Sequence, residues 1–279
     1  MPESVQKIAA FSDGNQGGNP AGVMIADSHP STEEMQRIAA AVGFSETAFA
    51  YPIEGGYRVR YFSPESEVPF CGHATIALGA ALALQNGDGV FALKLNEAEI
   101  TVEGSKKDGV IAAALQSPPT HSSPARPELL AAILELFGYT ENDLEDEIPP
   151  AFINGGANHF VVALNSREAL AKMDYDLNAG RDLMNRNDLV TIILVYKESP
   201  QLFHTRNPFA SGGVFEDPAT GAATAAFAGY LRDINWPHNG VIDIVQGEDM
   251  GMRSLLKAEI SPEKGSSIRV SGAARIMTE

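Results

Sequence analysis

The sequence predicts an α+β protein of two pseudo-symmetric lobes, each a β-sheet wrapped around one central helix. Two observations carry that prediction. The first half orders its short strands and helices as ββαββαβββ, and the second half repeats the order, the signature of a duplicated architecture. Each half also holds one long run of small apolar residues, HATIALGAALALQ within 72–86 and ATGAATAAFAGYL at 219–231. A helix that is apolar all round is a buried helix, so each run reads as the centre of its lobe. The 279 residues, 44% of them apolar, suit two modest domains with sizeable cores.

In the first half, VQKIAAF (5–11) and PAGVMIA (20–26) read as strands, split by the Gly/Asn-rich turn SDGNQGGN. Ser31 is placed to cap the next helix, with Glu34 completing a capping box. Met35, Ile38, Ala39 and Val42 follow at helical spacing. SETAFAY (45–51) and YRVRYF (57–62) are strands, then comes the central helix after Cys71, then the strands VFALKL, AEITVEG and VIAAALQ. The second half runs through the strands AFING and HFVVAL, the helical SREALAKM and RDLMNRN, and the strands LVTIILVY and QLFHTR. DPATGAATAAFAGYLRD is its central helix; VIDIVQG, SLLKAEI and SIRVSGAARI close it. A Pro/Ser linker, SPPTHSSPARP (117–127), joins the halves, and ELLAAILELF bridges them. The expected boundaries are 1–118 for the N-terminal lobe, completed by the C-terminal strand 264–279, and 128–263 for the C-terminal lobe.

With 20 basic and 36 acidic residues the net charge is −16, which repels nucleic acid and anionic membranes. The expected partner is a small molecule. An anionic one would need a local device, and helix N-termini facing a shared cleft would supply it through their N–H groups and positive dipole ends. One cysteine forms no internal disulfide, which fits a reducing, cytoplasmic setting. MPESVQKIAAFSDG lacks the basic start and apolar run of a signal peptide, and no stretch reaches ~18 apolar residues. CxxC, HExxH and phosphate-loop motifs are absent; neither a metal nor a cofactor is expected.

Four residues stand out chemically. Cys71, beside an apolar helix, reads first as a small buried hydrophobe; the helix start could also make it reactive. Glu46 is expected on a strand face with Phe44 and Ala48 by period-two alternation, where an apolar setting would raise its pKa; the alternative is a strand-end glutamate facing solvent. His73 sits one position inside the first central helix, where a backbone-bonded histidine is common. Asp217 opens the second, where an N-cap role is ordinary. Asn158 and His159 read as structural, and Trp236 suggests nothing specific.

The duplicated plan together with GNPAGV, SETAF, PFCGHAT and FEDPATG resembles the PhzF-like family of phenazine-biosynthesis isomerases, which shares the fold of diaminopimelate epimerase. The match runs in order along nearly the whole chain. The resemblance implies barrel-like lobes with an active site between them, cofactor-independent proton shifting, and a homodimer. It makes Glu46 the general acid/base, His73 a substrate-contacting residue that tunes protonation, and Asp217 the group that orients a substrate amine or hydroxyl. Asn19, Cys71, Gly72, Gly221 and Ala222 are taken as substrate-binding positions. In thiol-pair racemases of this fold a cysteine stands at each helix mouth; here the second place is Asp217, so a two-thiol mechanism is excluded. The isomerases of phenazine synthesis carry DPxTGS, with a serine that bonds the substrate, whereas this chain has DPATGAA, with Ala222. The expected reaction is a proton shift on a small cyclic or amino carboxylic acid such as trans-2,3-dihydro-3-hydroxyanthranilate. The alternatives are an epimerase or racemase using Cys71 with Asp217 or Glu46, and a catalytically silent ligand-binding homologue.

Overall fold

The computed structural model describes residues 5–278. In chain order the first elements are β1 (Gln6–Ala10), β2 (Asn19–Ile25), α1 (Thr32–Val42), β3 (Thr47–Ile53), β4 (Gly56–Phe62), β5 (Glu67–Val68), α2 (Gly72–Asn86), β6 (Gly89–Lys94), β7 (Glu99–Lys107) and β8 (Val110–Gln116). There follow β9 (His121–Pro124), α3 (Pro127–Phe137), β10 (Ala151–Asn154), β11 (Asn158–Leu164), α4 (Arg167–Ala171) and α5 (Leu177–Arg186). The remainder is β12 (Thr191–Ser199), β13 (Leu202–Arg206), β14 (Pro208–Phe209), β15 (Val214–Glu216), α6 (Gly221–Asp233), β16 (Val241–Gln246), β17 (Ser254–Glu259) and β18 (Arg269–Ile276).

The chain divides into two compact units, one built from the residues up to Gln116 and those from Ser271 onward, the other from Ser117–Val270. In the first, the strand order β1-β2-β3-β4-β6-β7-β8-β18 closes on itself, because β18 also pairs with β1, setting Ile8 opposite Ile276 and Ala10 opposite Ala274. Helix α2 packs on β1, β2, β3, β6, β7 and β8, and every residue from His73 to Ala83 is buried. A helix enclosed on all sides has no face to give to water, which is why its sequence has no polar stripe. The helix and β7 approach closely: a Cβ on Gly104 would lie 2.2 Å from the Gly79 carbonyl oxygen. On the outside, Met35 and Ala39 of α1 pack with Met24, Phe49 and Phe62.

In the second unit the strand order is β17-β16-β13-β12-β11-β10-β9. Helix α6 packs on β9, β10, β11 and β17 and is buried from Ala223 to Arg232. Here the small residue at the crossing is Gly229, where a Cβ would lie 2.3 Å from Thr120 Oγ1. A separate apolar cluster joins Leu129, Ile133 and Phe137 of α3 and Leu183 and Met184 of α5 to Phe160, Val162, Ile192 and Leu194 of the sheet. Both units therefore have the α+β plan of a sheet around a central helix that the duplication predicts. Among the described residues no helix is long and apolar enough to cross a membrane.

Local details differ from the sequence reading. Ser31 accepts the Glu34 N–H at 3.2 Å, but the Glu34 carboxylate turns to Arg37, at 2.6 and 2.8 Å, instead of closing the capping box. Helix α6 starts at Gly221 with Thr220 as N-cap, not at Asp217. Asp217 is held in the preceding turn, its N–H on the Asn207 carbonyl and its carbonyl on the Gln246 amide. Helix α5 begins at Leu177, capped by the Asp176 side chain.

Candidate active site

The first unit brings Glu46, Cys71 and His73 together. Helix α1 ends at Gly43, which takes the left-handed φ of 73° that stops a helix. The chain turns through Phe44 and Ser45, and Glu46 is the last residue before β3. Its carbonyl accepts the Gly22 N–H at 3.1 Å, which fixes its backbone. The strand alternation expected at Glu46 therefore begins only at Thr47, and the carboxylate meets polar groups rather than the apolar face shared with Phe44 and Ala48.

Cys71 is the extended N-cap residue of α2. Its thiol donates to Glu46 Oε2 at 3.5 Å and lies 3.4 Å from His73 Nδ1. His73 Nε2 is 3.4 Å from the same Oε2 and 3.3 Å from Ser45 Oγ. The side chains of His73 and Glu46 are 8% and 15% exposed, so the group is poor in water yet reachable at the carboxylate. Beneath it, Thr75 Oγ1 donates to the Cys71 carbonyl and meets the Tyr61 hydroxyl, both at 2.7 Å. Burial pushes the Tyr61 phenol up, so that hydroxyl stays protonated. Cys71 is buried, as its place beside an apolar helix predicts, and its thiol also contacts the carboxylate. A carboxylate, a thiol and an imidazole in mutual contact can pass one proton among themselves and hold it near an incoming carbon. At Gly72, between them, an added Cβ would meet nothing within 4 Å, which leaves the helix start open to a ligand. Asn19 is buried at the head of β2, opposite Ala10.

Asp217, Gly221 and Ala222 belong to the second unit. The Asp217 N–H donates to the Asn207 carbonyl at 3.0 Å, and its Oδ2 accepts from Thr220 Oγ1. Gln246 braces this turn. Its Nε2 donates to the Asp217 carbonyl at 2.7 Å and to Thr220 Oγ1 at 3.1 Å, and its Oε1 accepts the Thr220 N–H at 3.1 Å. Just before Asp217, the buried Glu216 carboxylate grips Arg206 at 2.5 and 3.0 Å. His159 is fully buried against Thr191 Oγ1 at 2.7 Å, and burial holds its pKa down at about 3. Ser45 and Gln246 escaped the sequence reading. Ser45 was visible as the neighbour of Glu46 in SET; Gln246 offered only the signal of a polar residue ending an apolar strand.

The comparisons agree with this fold. The Pseudomonas aeruginosa trans-2,3-dihydro-3-hydroxyanthranilate isomerase is 30% identical over 279 residues, covering 98% of this chain and 96% of its own length. The crystal structure of a Bacillus anthracis phenazine biosynthesis protein of the PhzF family superposes with a TM-score of 0.86 at 21% identity, covering 98% of this chain and 96% of that one. A hydroxyproline epimerase from Agrobacterium vitis shares the fold at a TM-score of 0.62 and 9% identity, over 98% and 88% of the two chains. The family model described as phenazine biosynthesis-like protein, PhzC-PhzF, matches residues 8–279. The chain belongs to that PhzF family and is one of its isomerases.

Proposed function

We propose that the protein is a cofactor-independent isomerase that shifts a proton on a small cyclic or amino carboxylic acid, with trans-2,3-dihydro-3-hydroxyanthranilate as the leading substrate and Glu46 as general acid/base. The observation that carries this reading is the Glu46 carboxylate held within 3.5 Å of both Cys71 and His73. Glu46 takes a proton from an activated carbon while the electron pair moves into the conjugated acid. The carboxylic acid so formed returns the proton to another carbon on the same face, and nothing is oxidised or reduced. His73, itself bonded to Ser45, holds the carboxylate in place. The resemblance adds Asp217 to orient a substrate amine or hydroxyl, with Asn19, Cys71, Gly72, Gly221 and Ala222 as binding positions. A cytoplasmic, homodimeric enzyme with an anionic substrate completes the reading.

The test is proton NMR in heavy water with this substrate. Wild-type protein is expected to isomerise it with deuterium uptake, and Glu46→Gln to be slower by about 10²–10⁴-fold, the usual worth of a general base. Equal rates would sink the assignment. The contact between the Cys71 thiol and Glu46 favours one second reading, an epimerase in which Cys71 is the proton carrier. Loss of turnover in Cys71→Ala with full retention in Glu46→Gln would select it.

A further inference from the structure

We propose that Glu46, Cys71 and His73 form a reversible binding site for a soft divalent cation, with zinc the best fit. The three side chains offer one thiolate, one imidazole and one carboxylate, the donor set that zinc accepts. Among the described residues they are the group of three such ligands whose donor atoms all lie within 4.8 Å of one another. Zinc bonds of ~2.3 Å to sulfur and ~2.0–2.2 Å to nitrogen and oxygen imply tetrahedral edges of ~3.3–3.7 Å. With His73 Nε2 as donor, the edges are 3.5 Å from Cys71 to Glu46, 3.4 Å from Glu46 to His73 and 3.9 Å from Cys71 to His73. Only the last must shorten, by a small turn of the imidazole. Two ligands flank Gly72 at the start of a fully enclosed helix, and the third is anchored through its backbone to Gly22, so little conformational freedom is lost on binding.

Three protein ligands leave the fourth position to water or to an incoming carboxylate. As the sulfur–metal bond forms, the thiol proton, now shared with Glu46, leaves to solvent. Magnesium and calcium, which demand oxygen ligands, do not compete. The cation takes the lone pair with which Glu46 would accept a substrate proton, so it inhibits. That consequence rests on the proposed acid/base role, whereas the binding itself does not.

The test titrates the whole 279-residue chain with cobalt(II), read by near-ultraviolet thiolate-to-cobalt absorption, with zinc as competitor. The expected result is a charge-transfer band saturating at one metal per chain, erased by zinc and untouched by magnesium. Cys71→Ser should abolish the band, and Glu46→Gln should weaken binding at least about tenfold, with melting curves showing that both variants fold. A band surviving in Cys71→Ser, saturation without any band, or no saturable binding below roughly millimolar metal would overturn the site. The readout needs no turnover. If the band forms while one equivalent of zinc leaves isomerisation unchanged, the metal site stands and the role of Glu46 in proton transfer falls.

Discussion

The start of α2 and the start of α6 are the same place in two copies of one plan, yet they are furnished for different work. Neither N-cap side chain accepts a bond from its helix's first turn, so both present a helix N-terminus. At α2 the adjacent polar side chains, Glu46, Cys71 and His73, bond to one another. At α6 the Asp217 carboxylate meets Thr220, and Gln246 stitches both to the end of β16. Duplication copies the backbone and its dipole. The carboxylate, thiol and imidazole in mutual contact belong to one copy, and the other holds its turn with an equivalent number of polar groups. Disturbing the α6 start should therefore be felt first as lost stability, and disturbing the α2 start as lost turnover.

The largest expected break is Glu216→Gln. It leaves the Arg206 guanidinium, 8% exposed, without its charge partner, at a cost of about 3–5 kcal/mol readable by urea unfolding. A loss under about 1 kcal/mol would mean that water reaches Arg206 and that the turn before Asp217 is held by other means. Next comes Gly104→Ala. The added methyl meets the Gly79 carbonyl, so α2 must move, costing about 1–3 kcal/mol. If the α2 start is the working one, turnover falls too; unchanged turnover would break the comparison on that side.

A third test uses acid. His159 stays neutral in the folded protein down to about 3, against 6.5 for the ordinary group. Between those values the unfolded chain binds more protons, so stability rises with pH through the window and is lost as pH falls through it, at up to about 1.4 kcal/mol per pH unit. His159→Gln should flatten that share of the slope in melts between about pH 4 and 6, inside the window from about 3 to 6.5. An unaltered slope would show that His159 is protonated in the fold. The smallest effect is that of Ala222→Ser, which restores the hydroxyl of the DPxTGS pattern. One added hydrogen bond of ~1 kcal/mol is worth about fivefold in kcat/KM on the proposed substrate, trans-2,3-dihydro-3-hydroxyanthranilate, with stability nearly unchanged. No gain would point to a different substrate.

Much of the architecture was legible because burial writes itself into composition. Helix α2 has the limits 72–86 that its unbroken apolar run predicts, and the repeated order of strands gave the two units their common plan. The start of α6 was misplaced because Asp217–Pro218 imitates an N-cap followed by an N1 proline; only the bonds to Asn207 and Gln246 show the turn to be a loop. The two- and three-residue strands β5, β14 and β15 are too short to leave a period. At the candidate site the motifs pointed to Glu46 and His73, but the surroundings of Glu46 were not readable. Period-two reasoning fails at the junction of a turn and a strand, and the proximity of Cys71 to Glu46 depends on strand pairing distant in sequence.

The closure of the first unit has a consequence for biosynthesis. Its ring is completed by β18, which a ribosome makes only after the entire second unit. Until then β1 and β8 are bare edges of an unfinished cylinder, and bare edges invite pairing with other chains. The second unit, uninterrupted in sequence, can mature first while the earlier-made segment waits. A premature stop codon just after Val270 would keep every residue of the second unit and leave the Glu46–Cys71–His73 half without its last stave. Nascent chains of this enzyme should thus lean on chaperones until β18 emerges.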